Sequence, residues 1–397
     1  MEATGALNRL GALPFLLAFA VLLLVHTAEG ISQAILSPYL QTAGYSLADI
    51  GLLVGLAPAI SLVSRLPVAL VYRGARARWL LAGAAATLAA SYLLYLLPAA
   101  VPLARLLHGA SFGAATTVNF AHFLGLAAAA PALRTRAIAY FTALMAGGFS
   151  GGALLGGVAA DWWDYPAALA LGAGCNLVAG GLALGFARPP ALAPGGAHRD
   201  ADRAAWQRLL SRPALEAALL ACVLNALSYL HGTLLPLYAL GVGLSLAAVG
   251  SIRAAHALAN AVTRPLLAGP VGRLGPRRLG LLGLGGVALC VALTPSFTSF
   301  TALALLALPM GLARAAAFLV ASIAAAESTE RHGVPRGMAS GLLNVGLDLG
   351  AVLGPAVGGA VAAALGIEPA LRLLPPALFV GYLLLASAPP GWRAAPQ

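Results

Sequence analysis

The chain of 397 residues has no lysine, three cysteines and twelve acidic residues, and charged side chains make up only 9% of it. Soluble domains carry roughly 25% charged residues, so a water-soluble globular enzyme is excluded. Without lysine there is no GxxxxGK[ST] loop, which excludes an ATP-driven pump built on that motif. Cys175, Cys222 and Cys290 lie in apolar stretches with no paired or ligand-like spacing, so no disulfide framework, metal site or redox cofactor is expected. The polar–apolar alternation of a membrane barrel is missing as well. The net charge of +11 rests on arginine alone; it reads as compositional bias, and no nucleic-acid partner is inferred from it.

What is present is apolar: 60% hydrophobic residues and a mean hydropathy of +0.90. The 47 glycines and 26 prolines are tolerated in transmembrane helices, where small residues let backbones approach. Twelve spans of about 20 to 25 residues need roughly 240 to 300 positions, which the length supplies. Punctuation by Arg, Pro and Gly places six spans near 10–36, 46–72, 79–97, 102–127, 137–160 and 166–187. Six more fall near 213–240, 245–271, 279–293, 300–325, 338–364 and 369–388. The first run mimics a signal peptide, with Ala18-Phe19-Ala20 resembling a cleavage site, but hydrophobicity continues past it and it is read as a span. Residues 188–212, rich in Pro, Gly and charge, read as a cytoplasmic linker. The expected organisation is an all-α polytopic membrane protein with six-helix bundles at 1–187 and 213–397.

Seventeen of the 23 arginines fall in segments on one side of these spans and none in the opposite loops. The positive-inside rule then sets both termini in the cytoplasm, in a multi-pass protein of the cytoplasmic membrane. The halves also repeat. At an offset of 202, Gly148, Gly152, Gly156 and Gly157 match Gly350, Gly354, Gly358 and Gly359; at 199, Ser46, Gly51 and Arg65 match Ser245, Gly250 and Arg264. Parallel six-helix repeats are a transporter architecture.

Ionisable groups inside a membrane cost about 2.5 to 3.5 kcal/mol at a helix centre and tend to face a cavity or a partner. The first span carries His26, Glu29 and Gln33 at spacings of three and four, hence on one face. The fourth carries Arg105, His108 and Asn119; the seventh Asn225 and Tyr229; the eighth Arg253, His256, Asn260 and Arg264; the tenth Arg314; the eleventh Asn344 and Asp348. The third, sixth and ninth spans have no ionisable residue in their interiors, and the twelfth only Arg372 near its start. A central polar cavity between the halves is expected, with every third helix facing lipid. Asp161 and Asp164, flanking Trp162-Trp163, read as an outer-interface belt.

At this point the chain resembles the major facilitator superfamily, and specifically its bacterial drug-efflux members. The eleventh span contains Gly350-xxx-Gly354-Pro355-xx-Gly358-Gly359, the GxxxGPxxGG signature that the family's proton antiporters place in the fifth span, where this chain has Ala153 for proline. Arg105-Leu-Leu-His108-Gly109 is similar to an RxxQG-type motif. Gly272-Arg273-Leu-Gly275-Pro276-Arg277-Arg278 is similar to a DRxGRR loop, with a looser copy from Tyr72-Arg73, and both lack the Asp. Glu29, deep in the first span one turn from His26, and Asp348, mid-span beside Asn344, are the acids expected to couple a proton; the resemblance implies a transporter rather than an enzyme, working as a monomer, with Arg105 linked to proton transfer. It further implies packing and gating roles for Arg73, Gly148, Gly152, Arg273, Gly350, Gly354 and Pro355. Arg253, His256 and Arg314 either bind an anionic group or pair with Glu29 and Asp348. Proton-coupled efflux of a small molecule is expected; the alternative is uptake or facilitated diffusion of a polar or anionic metabolite.

Overall fold

The structure, a computed structural model, describes residues 13–72, 74–129, 134–186, 212–332 and 336–387. Twelve long helices run through them: α1 (Leu13–Thr42), α2 (Leu47–Val71), α3 (Ala77–Leu94), α4 (Val101–Ala129), α5 (Arg134–Trp162) and α6 (Tyr165–Leu184). After these come α7 (Arg212–Gly241), α8 (Leu246–Thr263), α9 (Pro276–Leu293), α10 (Phe300–His332), α11 (Arg336–Leu365) and α12 (Ile367–Ser387). The expected all-α, twelve-helix fold is therefore the observed one. Almost all of the expected linker, and Arg73, lie outside the described residues.

Local chemistry explains the boundaries. Ser46 and Asp49 form a reciprocal capping box that starts α2, and Ser245 Oγ accepts from Ala248 N at 3.2 Å to start α8. Gly44 and Gly243, at φ of 89° and 85°, end the two preceding helices in the left-handed region that glycine adopts without penalty; these turns are copies at the 199 offset. The eighth span, expected over 245–271, instead breaks after Thr263. It continues as a 3-10 turn (Arg264–Leu267) and a short helix (Ala268–Leu274), because Pro265 and Pro270 have no N–H for the helical ladder.

Ten of the twelve helices are long and apolar enough to cross a membrane. The other two are α4 and α8, whose apolar content is diluted by Arg105, His108, Asn119 and His122 and by Arg253, His256 and Asn260. Leu66, Leu70, Leu258, Leu384 and Leu385 are each more than half exposed, a surface suited to acyl chains.

In the first six helices α1 packs on α5 and α6, and α4 on α2 and α3. In the second six α7 packs on α10 and α11, and α9 on α10 and α12. Two seams join the halves, α2 with α11 and α5 with α8. Glycines set many of these approaches. A Cβ on Gly152 would overlap the Thr27 carbonyl of α1, and one on Gly156 would stand 2.8 Å from Ile31 Cα. Gly350 and Gly354 meet Cys222 and Ala226 of α7 in the same way. The doubled glycines split their duty. Gly156 and Gly358 face α1 and α7 within their own halves, whereas Gly157 faces Leu246 of α8 and Gly359 faces Leu47 and Gly51 of α2. The packing read from the glycine pattern is thus present, and Pro355 supplies a carbonyl against Gly51.

Candidate functional site

A cavity of about 490 Å³ lies between the halves, walled by α1, α2, α4 and α5 on one side and α7, α8, α10 and α11 on the other. None of its lining side chains comes from α3, α6, α9 or α12, the partition expected from the distribution of charge. The repeat extends into the wall. Val54, Ala57, Ser61 and Arg65 of α2 line it, and so do Arg253, His256, Asn260 and Arg264, their counterparts at the 199 offset. At the 202 offset, Arg105, His108 and Phe112 of α4 correspond to Ala307, Met310 and Arg314 of α10, all six lining. The backbone positions repeat while the chemistry does not.

On the first half, Glu29 Oε2 lies 2.7 Å from His108 Nε2, and its Oε1 accepts from Gln33 Nε2 at 3.1 Å. Gln33 Oε1 in turn accepts from Arg253 NH2 of α8 at 3.0 Å, and Arg253 NH1 donates to the Gly232 carbonyl of α7 at 2.8 Å. A continuous chain of polar contacts therefore runs from His108 in one half to Gly232 in the other. His108 is 2% exposed and Glu29 13%, so bulk water scarcely screens the pair.

Elsewhere the arginines have specific partners. Arg65 NH1 bridges α2 to α11 through Asp348 Oδ2 at 2.7 Å. Arg314 donates to Asn225 Oδ1 at 3.0 Å and to Ser228 Oγ, and Asn225 Nδ2 donates to the Leu347 carbonyl at 2.7 Å. Arg105 is buried and donates to the carbonyls of Leu53 and Val54, each at 2.8 Å, and to Tyr95 Oη at 3.1 Å. It clamps α4 to α2 and forms no ion pair with a carboxylate among the described residues. Tyr229 and Asn344 line the cavity as expected.

Two expected cavity residues are not in the wall. His26 bonds the Leu22 carbonyl one turn back at 2.8 Å and sits edge-on between Phe112 and Phe149. Asn119 Nδ2 reaches the Ala18 carbonyl of α1 at 3.4 Å. Both polar groups face neighbouring backbone rather than the cavity. Asp161, exposed beside Trp162 and Trp163 at the end of α5, also has specific partners: its two oxygens accept from Leu246 N and Ala247 N, each at 2.8 Å, and cap α8 from the opposite half. Arg273 is exposed at the end of the short helix. Asn260 and Arg264, expected on the polar face of the eighth span, line the wall, whereas Ser32, Ser61, Arg65, Ser228 and Thr233 line it without having been expected there. The 199-residue repeat of Arg65 and Arg264 is the signal that could have found Arg65.

Two pseudo-repeated halves around one polar cavity are matched by sequence. A model for the Major Facilitator Superfamily aligns with residues 17–293 and 228–397. The chain belongs to that superfamily. No curated protein matches it by sequence. In fold it is similar to the crystal structure of the nucleoside transporter NupG, at 14% identity and a TM-score of 0.75, covering 95% of this chain and 100% of that one. It is also similar to a bacterial homologue of the human lysosomal transporter Spinster in an inward-facing, unoccupied conformation. The values there are 15% identity and a TM-score of 0.74, with 94% of this chain and 95% of that one covered. This major facilitator protein is thus a multi-pass membrane transporter of a small-molecule solute and not an enzyme.

Proposed function

We propose that the chain is a proton-coupled transporter that takes up a small polar solute by alternating access, with Glu29 and His108 as the coupling pair. The polar chain from His108 through Glu29 and Gln33 to Arg253 carries this reading. A proton arriving on Glu29 removes the charge that strengthens its bond from Gln33, and Gln33 is the residue that holds Arg253 across the halves. Protonation and the inter-half contact are thereby linked through three side chains. Arg105 acts on this pair by fixing α4 against α2, and Asp348 by holding α11 to α2.

The wall carries five arginines against two acids, which disfavours the amphipathic cations of drug efflux and supports a polar solute. Export remains the competing direction, because the intact GxxxGPxxGG of α11 resembles an antiporter signature. Proteoliposomes with an imposed pH gradient separate the two readings. With the lumen standing for the cytoplasm, an acidic exterior is expected to drive accumulation of one member of a labelled polar-metabolite panel. Glu29→Gln is expected to lose that accumulation while retaining solute exchange. Glu29→Gln liposomes that accumulate solute uphill as well as wild type would remove Glu29 from coupling, and accumulation only with the gradient reversed would establish export.

A further inference from the structure

The repeat is broken at one charged position. Arg65 and Arg264 are counterparts at the 199 offset and both line the cavity. Arg65 is neutralised across its seam by Asp348 at 2.7 Å. The counterpart of Asp348 at the 202 offset is Ala146 of α5, which also lines the cavity. The carboxylate that completes the α2–α11 bridge is therefore missing from the α5–α8 seam. Arg264 instead stacks on Phe318, its guanidinium carbon 4.8 Å from the ring centroid. Its Nε is buried without an acceptor, and no acid among the described residues pairs with it. Asn260 Oδ1, one turn earlier on α8, and Ser61 Oγ on α2 are buried and unpartnered too.

The other wall arginines are engaged: Arg105 by the α2 carbonyls, Arg253 by Gly232 and Gln33, Arg314 by Asn225 and Ser228. Arg264 alone among the described wall arginines makes no hydrogen bond or ion pair, and its Nε is buried. An uncompensated cation in a membrane interior is costly, and unfilled hydrogen-bonding capacity in a cavity marks a place for ligand groups.

We propose that Arg264 docks an anionic group of the transported solute, a carboxylate or a phosphate, in the place beside Ala146 where the repeat would put an acid. This rests on the reading that the cavity carries the solute. The guanidinium offers paired donors that match either oxyanion, Phe318 supports its plane, and the unpartnered Ser61 hydroxyl is a further donor on the cavity wall, while Asn260 Oδ1 accepts only from a hydroxyl or N–H of the solute. The bound anion completes the second bridge, so the occupied carrier has a counter-ion at both seams. A neutral or cationic solute leaves Arg264 unneutralised.

The test is thermal unfolding of the purified full-length protein in detergent, titrated with inorganic phosphate, succinate or uridine. Phosphate, succinate or both are expected to stabilise the wild type and uridine is not; which oxyanion works identifies the group, and either upholds the proposal. Arg264→Gln is expected to weaken the stabilisation by about tenfold or more, the size of one lost charge-assisted contact. Ala146→Asp supplies the missing carboxylate from the protein. It is expected to raise the melting temperature without ligand and to abolish stabilisation by anions, and it decides the matter if Arg264→Gln does not fold. Anions protecting both variants as well as wild type overturn the proposal, as does uridine protecting wild type when neither anion does. No gradient is involved, so anion binding with gradient-driven accumulation lost overturns the coupling reading alone. Accumulation of a neutral solute with no anion binding overturns this one alone.

Discussion

Arg105 and Arg65 look alike in sequence, as single arginines within apolar spans, yet they differ in what their loss leaves behind. Arg105 is 4% exposed, and removing its fork strands two carbonyls and a hydroxyl at roughly 1–3 kcal/mol per buried group. The Arg65 side chain is 34% exposed, and such a pair is worth about 1 kcal/mol or less. Lysine cannot reproduce a planar fork, so Arg105→Lys is expected to lower the melting temperature of the purified protein clearly more than Asp348→Asn does. The reverse order, with Arg105→Lys fully stable and uncoupled, would return Arg105 to the proton path that its motif implies. The face of α1 was legible from spacing, but spacing could not separate a cavity from a neighbouring helix. His26 and Asn119 both follow the helical period, and each bonds a backbone carbonyl, a partner that no residue pattern reveals.

At the scale of helices, α2 and α8 start from equivalent turns but are capped differently. In α2 the third position is Asp49, which closes the box on Ser46; in α8 that position is Ala248, and the carboxylate comes from Asp161 of α5, 85 residues away. An anion at a helix N-terminus is worth about 0.3–1 kcal/mol at exposed sites. Because this one crosses the halves, its energy counts only while the loop ends of α5 and α8 are together. Asp161→Asn is expected to shift the population of that closed end by roughly two- to five-fold. Ala248→Asp, which gives α8 a cap of its own, is expected to act in the same direction by displacing Asp161. Spin-label distances between the α5–α6 and α7–α8 loops read both, and an unchanged distance distribution in both variants would refute the latch. The helices themselves were legible because apolar runs and glycine stripes follow from the solvent they face. The break at Thr263 was not, since two prolines beside a cavity can kink a span or end it.

For the molecule as a whole, we propose that the twelve spans return both ends of the chain to one face of the membrane and that arginine density makes that face the cytoplasm. Tags at both termini are therefore expected to resist protease in intact spheroplasts and to be cleaved after lysis; digestion of either tag before lysis would invert the topology. The two-half plan was legible through the repeat offsets. What escaped was the asymmetry superimposed on it, since an Ala146 opposite an Asp348 is informative only once both are known to line one wall. The doubled glycines carry a different lesson. Gly156 and Gly358 lie on seams inside a half, while Gly157 and Gly359 lie on the seams between the halves, which the alternating access proposed above opens in every cycle while the inner seams stay closed. Two adjacent codons are thus exposed to two kinds of selection: damage at the first is felt as scarcity of the protein, and damage at the second as a normal quantity of carriers that turn over slowly.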